Sequence, residues 1–195
     1  MKLYEIMDGS IIHILEAVKR DCEPYINVLS NTNGEHPLLR GSDRAVPKHG
    51  TLNIIEPRAM RRPKNINPYI HDQLNKLLQE RFGYHFRNAI FTTSALRVAS
   101  FYGSVGVVFP IGKLQYIWNT EYRDLYELFK HWDHLDDEQL IHDKELNSII
   151  EDAVEFYTDK NISRAITTGY EILLANKCYM VSLRDYDLIK QELFK

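Results

Sequence analysis

The feature that most constrains the fold of this chain is the irregular order of its apolar patterns. Short apolar runs at Ala89 to Thr93, Val105 to Pro110, Leu114 to Trp118, Tyr170 to Ala175 and Cys178 to Leu183 read as strands, the last two on either side of Asn176-Lys177. Between and around them run helical stripes of unequal length. No regular strand-helix-strand repeat and no glycine-rich phosphate loop accompanies them, which disfavours a Rossmann fold and favours α+β.

Within that order several helices are punctuated clearly. Ile11, Ile14, Leu15 and Val18 make one stripe over Ile11 to Cys22, and Pro24 is expected to stop it. Asn67 and Pro68 supply a cap and a first helical residue for a stripe through Ile70, Leu74, Leu77 and Leu78, ended by Gly83. Shorter helices are predicted at Ala95 to Tyr102 and Asn161 to Thr168, longer ones at Tyr122 to Trp132 and Glu138 to Tyr157, and a terminal one at Asp185 to Phe194. Pro37 to Gly41 reads as a strand ending at a glycine. Residues 42 to 66 read as a long loop with one strand at Leu52 to Ile55, and loops of that length are usually functional.

Charge and cysteine content narrow the classes. With 24 basic and 27 acidic residues the formal net charge is −3, which argues against a nucleic-acid binder that relies on the field of the whole molecule. A local patch remains at Arg58, Arg61, Arg62 and Lys64, while acids concentrate from Asp133 to Glu155. Cys22 and Cys178 are too few for a disulfide framework and suit buried thiols in a reducing compartment. No run approaches the about 18 apolar residues that span a bilayer, and the first residues lack a signal-peptide pattern. The expectation is one cytoplasmic domain over residues 1–195, with no membrane partner.

Three separated fragments carry the functional reading: Leu38-Leu39-Arg40-Gly41, Phe91-Thr92-Thr93-Ser94, and Gly169-Tyr170-Glu171-Ile172. In that order they resemble the arginine, Ser-Thr-Ser, glutamate arrangement of the ADP-ribosyltransferase superfamily. The resemblance spans roughly residues 36 to 183 and implies an ADP-ribosyltransferase-like domain, a mixed β core with flanking helices. Stretches around Arg61-Arg62-Pro63, Phe109-Pro110-Ile111-Gly112 and Gly169 to Ile172 also resemble small bacteriophage proteins, which implies a phage-infected bacterial setting.

The resemblance implies NAD⁺ as substrate and an acceptor that is a host protein or a nucleic acid. Cleaving the nicotinamide–ribose bond builds positive charge on the ribose, and a fixed carboxylate stabilises it, a role that falls to Glu171. Arg40 binds the diphosphate through its planar fork of donors, Gly41 allows close backbone approach, and Thr92 orients the carboxylate. Thr93 and Ser94 complete the hydroxyl-rich element, Phe101 or Tyr102 offers an aromatic face to the cationic nicotinamide ring, and Arg61 and Arg62 reach the diphosphate or the acceptor. Two departures stand out: Thr92 replaces the first serine, and Gly169 stands where arginine-modifying members carry an acid or glutamine, which argues against arginine as acceptor.

Plainer roles compete at each position: a solvated arginine for Arg40, a helix cap for Ser94, a surface carboxylate for Glu171, core packing for Phe101 and Tyr102. Two other function classes stay open, an NAD⁺ glycohydrolase and a catalytically silent module that binds through Arg58 to Lys64. Glu121 and Asp124 are alternative carboxylates whose ordinary role is to complement a helix dipole. His131, Asp133, His134, Asp136 and Asp137 offer metal-ligand atoms without zinc-site spacing, and read as a solvated turn. His36, near Arg40, reads as structural.

Overall fold

The computed structural model describes residues 9–43, 46–63, 66–132 and 135–195. Its first helix, α1 (Gly9–Asp21), turns Ile11, Ile14, Leu15 and Val18 into the core, as the stripe predicts. The stripe ends before Pro24 as expected, α1 stopping at Asp21, and Pro24 opens a second helix. It sits in the first turn of α2 (Glu23–Ser30), where a missing N–H is no loss because those donors have no intrahelical partner anyway.

Strand β1 (Leu39–Ser42) leads into the long loop, β2 (Asn53–Ile55) lies within it, and α3 (Pro68–Phe82) follows it. Asn67 caps α3 by accepting from the Tyr69 N–H at 2.8 Å, and Gly83 closes it in the left-handed region at φ 74°. Then come β3 (Ile90–Thr92), α4 (Leu96–Ser100), β4 (Ser104–Pro110) and β5 (Tyr116–Asn119). The expected helix from Tyr122 begins instead at Leu125. Asp124 caps it as α5 (Leu125–Phe129), and a 3-10 turn over Lys130–Trp132 continues it.

The long helix expected over Glu138 to Tyr157 is broken at Asp143. That residue ends α6 (Asp137–His142), while its side chain accepts from the Leu146 N–H at 2.9 Å to start α7 (Lys144–Glu155). Tyr157 leaves the helix for a short strand, β6 (Tyr157–Thr158). The chain finishes with α8 (Ile162–Thr168), β7 (Ile172–Leu174), β8 (Cys178–Ser182) and α9 (Leu183–Leu193).

The strands form two four-stranded sheets, β1-β4-β8-β2 and β3-β7-β5-β6. Every strand pair among the described residues is antiparallel, so the fold is α+β without the mixed β core that the resemblance implied. The chain passes between the sheets four times, and the last two crossings are β4 to β5, from the first to the second, and β7 to β8, which returns. Asn176, nearly buried, ties these two crossings together. Its amide donates to the carbonyls of Ile111 and Lys113 and its oxygen accepts from the Gln115 N–H.

The two apolar cores explain why β7 is apolar throughout. Ile172 and Leu174 enter the core that α1, α2, α8 and α9 share with the first sheet. Leu173 enters the other, built by α3, α5 and α7. A strand with a core on each face reads as a continuous apolar run. Cys22 and Cys178 lie buried as free thiols in the first core, and burial raises the pKa of both, that of Cys22 to about 12. Among the described residues no helix is long and apolar enough to cross a membrane.

Candidate functional site

The sheets touch through an isolated bridge in which Leu39 and Thr93 exchange both backbone hydrogen bonds, at 2.7 and 3.0 Å. One residue beyond that contact the ladder stops and a side chain takes over: Arg40 Nη1 donates to the Phe91 carbonyl at 3.2 Å. Arg40 thus reaches from the first sheet onto the open edge of the second. Arg40 is half-buried, and its pKa is lowered by burial and by the neighbouring Arg58.

Gly41 makes a close approach of a different kind from the one the sequence suggests. A Cβ there would lie 1.9 Å from the Ala99 carbonyl oxygen, so the missing side chain lets α4 rest directly on β1.

The hydroxyls of the Thr92-Thr93-Ser94 element all bond to backbone rather than to a carboxylate. Thr92 donates to the Ile172 carbonyl at 2.9 Å and Thr93 to the Gly169 carbonyl at 2.9 Å, while Ser94 donates to the Ile166 carbonyl. The expectation that Thr92 orients Glu171 directly is corrected, because its hydroxyl points at the backbone one residue further on. The three bonds instead clamp the stretch from the end of α8 to the start of β7, and Glu171 lies inside that clamp. Gly169, two residues before Glu171, occupies the left-handed cap of α8 at φ 71°, a conformation that a side-chain-bearing acid or glutamine adopts only with strain.

Thr92→Val tests the clamp. Losing a buried hydroxyl that satisfies a carbonyl is expected to lower the unfolding free energy by about 1–3 kcal/mol in a urea titration. An unchanged midpoint would show that the bond is not made.

Glu171 itself is fixed at its backbone, where its N–H donates to the Arg123 carbonyl at 3.3 Å, and its side chain is 23 % exposed. Its Oε1 stands 3.9 Å from Arg87 Nη1. Burial pushes the carboxyl pKa up to about 7, with Asp124 adding to the rise while Arg87 and Arg61 oppose it.

Arg87 was not singled out by sequence reasoning. It belongs to a 3-10 turn over Phe86–Asn88, is 5 % exposed, and its Nε and Nη1 have no hydrogen-bond partner. An arginine flanked by Phe86 and Asn88 in a short polar and aromatic connection has no periodic signature that marks it for burial.

Phe91 organises these cations. The Arg61 guanidinium lies 3.6 Å and the Arg87 guanidinium 4.8 Å from its ring centroid, both in cation–π range. Burial and the nearby Arg87 lower the pKa of Arg61 to about 10. Asn88 holds the Arg61 loop in place. It accepts from the N–H groups of Arg58 (on its carbonyl) and Arg61 (on its side chain), and its amide donates to the Ala59 carbonyl. Arg62 faces solvent, and Lys64 lies outside the described residues.

Tyr102 and Phe101 end α4 at the surface, 49 % and 74 % exposed, which excludes core packing for Phe101. The Tyr102 hydroxyl donates to Asp124 Oδ2 at 3.4 Å, and burial together with Asp124 and Glu171 raises its pKa to about 12. Asp124 also caps α5, and Glu121 is exposed. His36 is exposed. Of the histidine and aspartate group near α6, Asp133 and His134 lie outside the described residues, and Asp136 serves as the helix cap in a capping box. Among the described residues no group of three or more metal-ligating side chains gathers.

The structure therefore brings Arg40, Arg61, Arg87 and Glu171 together around Phe91, with Tyr102 beside them and the Thr92 to Ser94 hydroxyls behind. Arranged so, the group can hold an anion on its guanidinium groups and a developing cation on its carboxylate. The chain matches no protein-family model, no curated protein and no solved structure.

Proposed function

We propose that the protein is an ADP-ribosyltransferase that takes NAD⁺ as substrate and passes its ADP-ribose to a macromolecular acceptor. The observation that carries this reading is a carboxylate held beside a cluster of arginines at the edge of one sheet, at the contact point with the other. Arg40, assisted by Arg61 and Arg87, binds the diphosphate, whose two negative charges match a group of cations that outnumbers the carboxylate beside it. Glu171 stabilises the positive charge that develops on the ribose as its bond to nicotinamide breaks. Nicotinamide departs with the bonding electron pair. The acceptor's nucleophile then bonds to the same ribose carbon and releases its proton to solvent.

The elevated Glu171 pKa gives the reading a pH signature. Only the ionised carboxylate stabilises a cation, so kcat/KM is expected to rise with pH through about 7 and to fall about tenfold per unit below it. A profile flat from pH 5 to 8 would exclude Glu171 from that role. The direct test incubates the protein with NAD⁺ and cell lysate and follows the ADP-ribose. Transfer to a macromolecule supports the proposal, release of free ADP-ribose alone points to a glycohydrolase, and no consumption or binding of NAD⁺ overturns it.

A further inference from the structure

The proposed site lies beside an exposed surface. On α4 and the turn after it, Leu96, Arg97, Val98, Phe101 and Tyr102 face solvent, and Phe101 is among the most exposed large apolar side chains described. Arg58 is exposed on the neighbouring loop, close enough to Arg40 to lower its pKa. Tyr102 packs against Gly41, where a Cβ would lie 3.0 Å from the Tyr102 Cβ, so its ring stands beside the strand that carries Arg40, with Phe101 the preceding residue. Asp124, bonded to the Tyr102 hydroxyl, and Asp43, close enough to Arg40 to oppose the lowering of its pKa, are acidic side chains on this border besides Glu171. In a chain of net charge −3, guanidinium groups concentrated beside exposed rings are a local device rather than an effect of overall charge.

From this juxtaposition we infer that the surface binds single-stranded nucleic acid and that the bound strand is the acceptor. Unpaired bases stack on exposed aromatic faces, and arginines track the phosphates on either side. A duplex offers no free base face for Phe101, and a protein segment would leave the cations without a regular anionic partner. The acceptor role rests on the transferase reading, whereas strand binding does not.

The test uses the full chain without NAD⁺ and a fluorescein-labelled strand of about 12 mixed-sequence nucleotides, in DNA and RNA forms, with binding read by anisotropy at low and moderate salt. Single strands are expected to bind more tightly than the matching duplex. Phe101→Ala, at an exposed position that folding does not need, is expected to weaken binding about tenfold. Arg58→Gln is expected to flatten the dependence of log affinity on log salt by about 0.7. The DNA and RNA arms identify the strand used. Equal binding of duplex and single strand, insensitive to Phe101→Ala, would overturn the inference in favour of simple polyanion adhesion. Absence of strand binding combined with ADP-ribose transfer to lysate protein would overturn it in favour of a protein acceptor. NAD⁺ consumption is measured on a second portion of the same preparation with NAD⁺ added, so absence of that activity with strand binding intact would sink the transferase reading alone.

Discussion

Glu171→Gln is expected to cut ADP-ribose transfer by about 10² to 10³ while leaving NAD⁺ affinity within a few-fold of wild type. Glutamine keeps the size and part of the hydrogen bonding of the side chain and removes only the charge that acts in the transition state. The same substitution has a second consequence of opposite sign. With its folded-state pKa raised to about 7, Glu171 favours folding fully below its ordinary value near 4.5, and this contribution is lost as pH rises through about 7. Glutamine has no such loss. Above pH 7 the mutant is therefore expected to be more stable than wild type, by on the order of 1–3 kcal/mol in denaturant titrations, with the gap closing below about pH 4.5. Gain of stability together with collapse of turnover separates a chemical role from damage to the fold. Wild-type turnover in the mutant would move attention to Asp124, the other carboxylate beside Tyr102.

Gly41→Val should be the most disruptive single change to the scaffold. Its Cβ would fall 1.9 Å from the Ala99 carbonyl oxygen and 3.0 Å from the Tyr102 Cβ, and the nearest of these is backbone that cannot rotate away. Helix α4 must lift from β1, and Arg40, the next residue along the strand, shifts with it. A loss of about 3 kcal/mol or more in unfolding free energy is expected, with weakened NAD⁺ binding in whatever fraction stays folded. A urea midpoint equal to wild type would mean that α4 does not rest on Gly41.

Much of this arrangement was readable in the residues, where local chemistry determined it. Asn67-Pro68 and Gly83 bound α3 because capping is a property of a few adjacent residues. Pro24 reads only as the stop of the first helix, which it is, while its place in the first turn of α2 comes from the structure. The runs flanking Asn176 are strands as their composition predicts, but residues that are apolar on both faces carry no mark of which sheet they join. Residue type and order single out Arg40, Thr92 and Glu171 as candidates. What the Thr92 hydroxyl bonds to, and that Arg87 stands beside Glu171, depend on chain segments far apart in sequence, and no periodicity encodes them.

The bridge between Leu39 and Thr93 joins an edge strand of one sheet to an edge strand of the other. Arg40 follows one of these residues and Thr92 precedes the other, so the backbone pairing sets where the Arg40 guanidinium meets the edge of β3. Its position is thus fixed by main-chain bonds made outside the site, a form of preorganisation that needs no extra bonds among the side chains of the site itself.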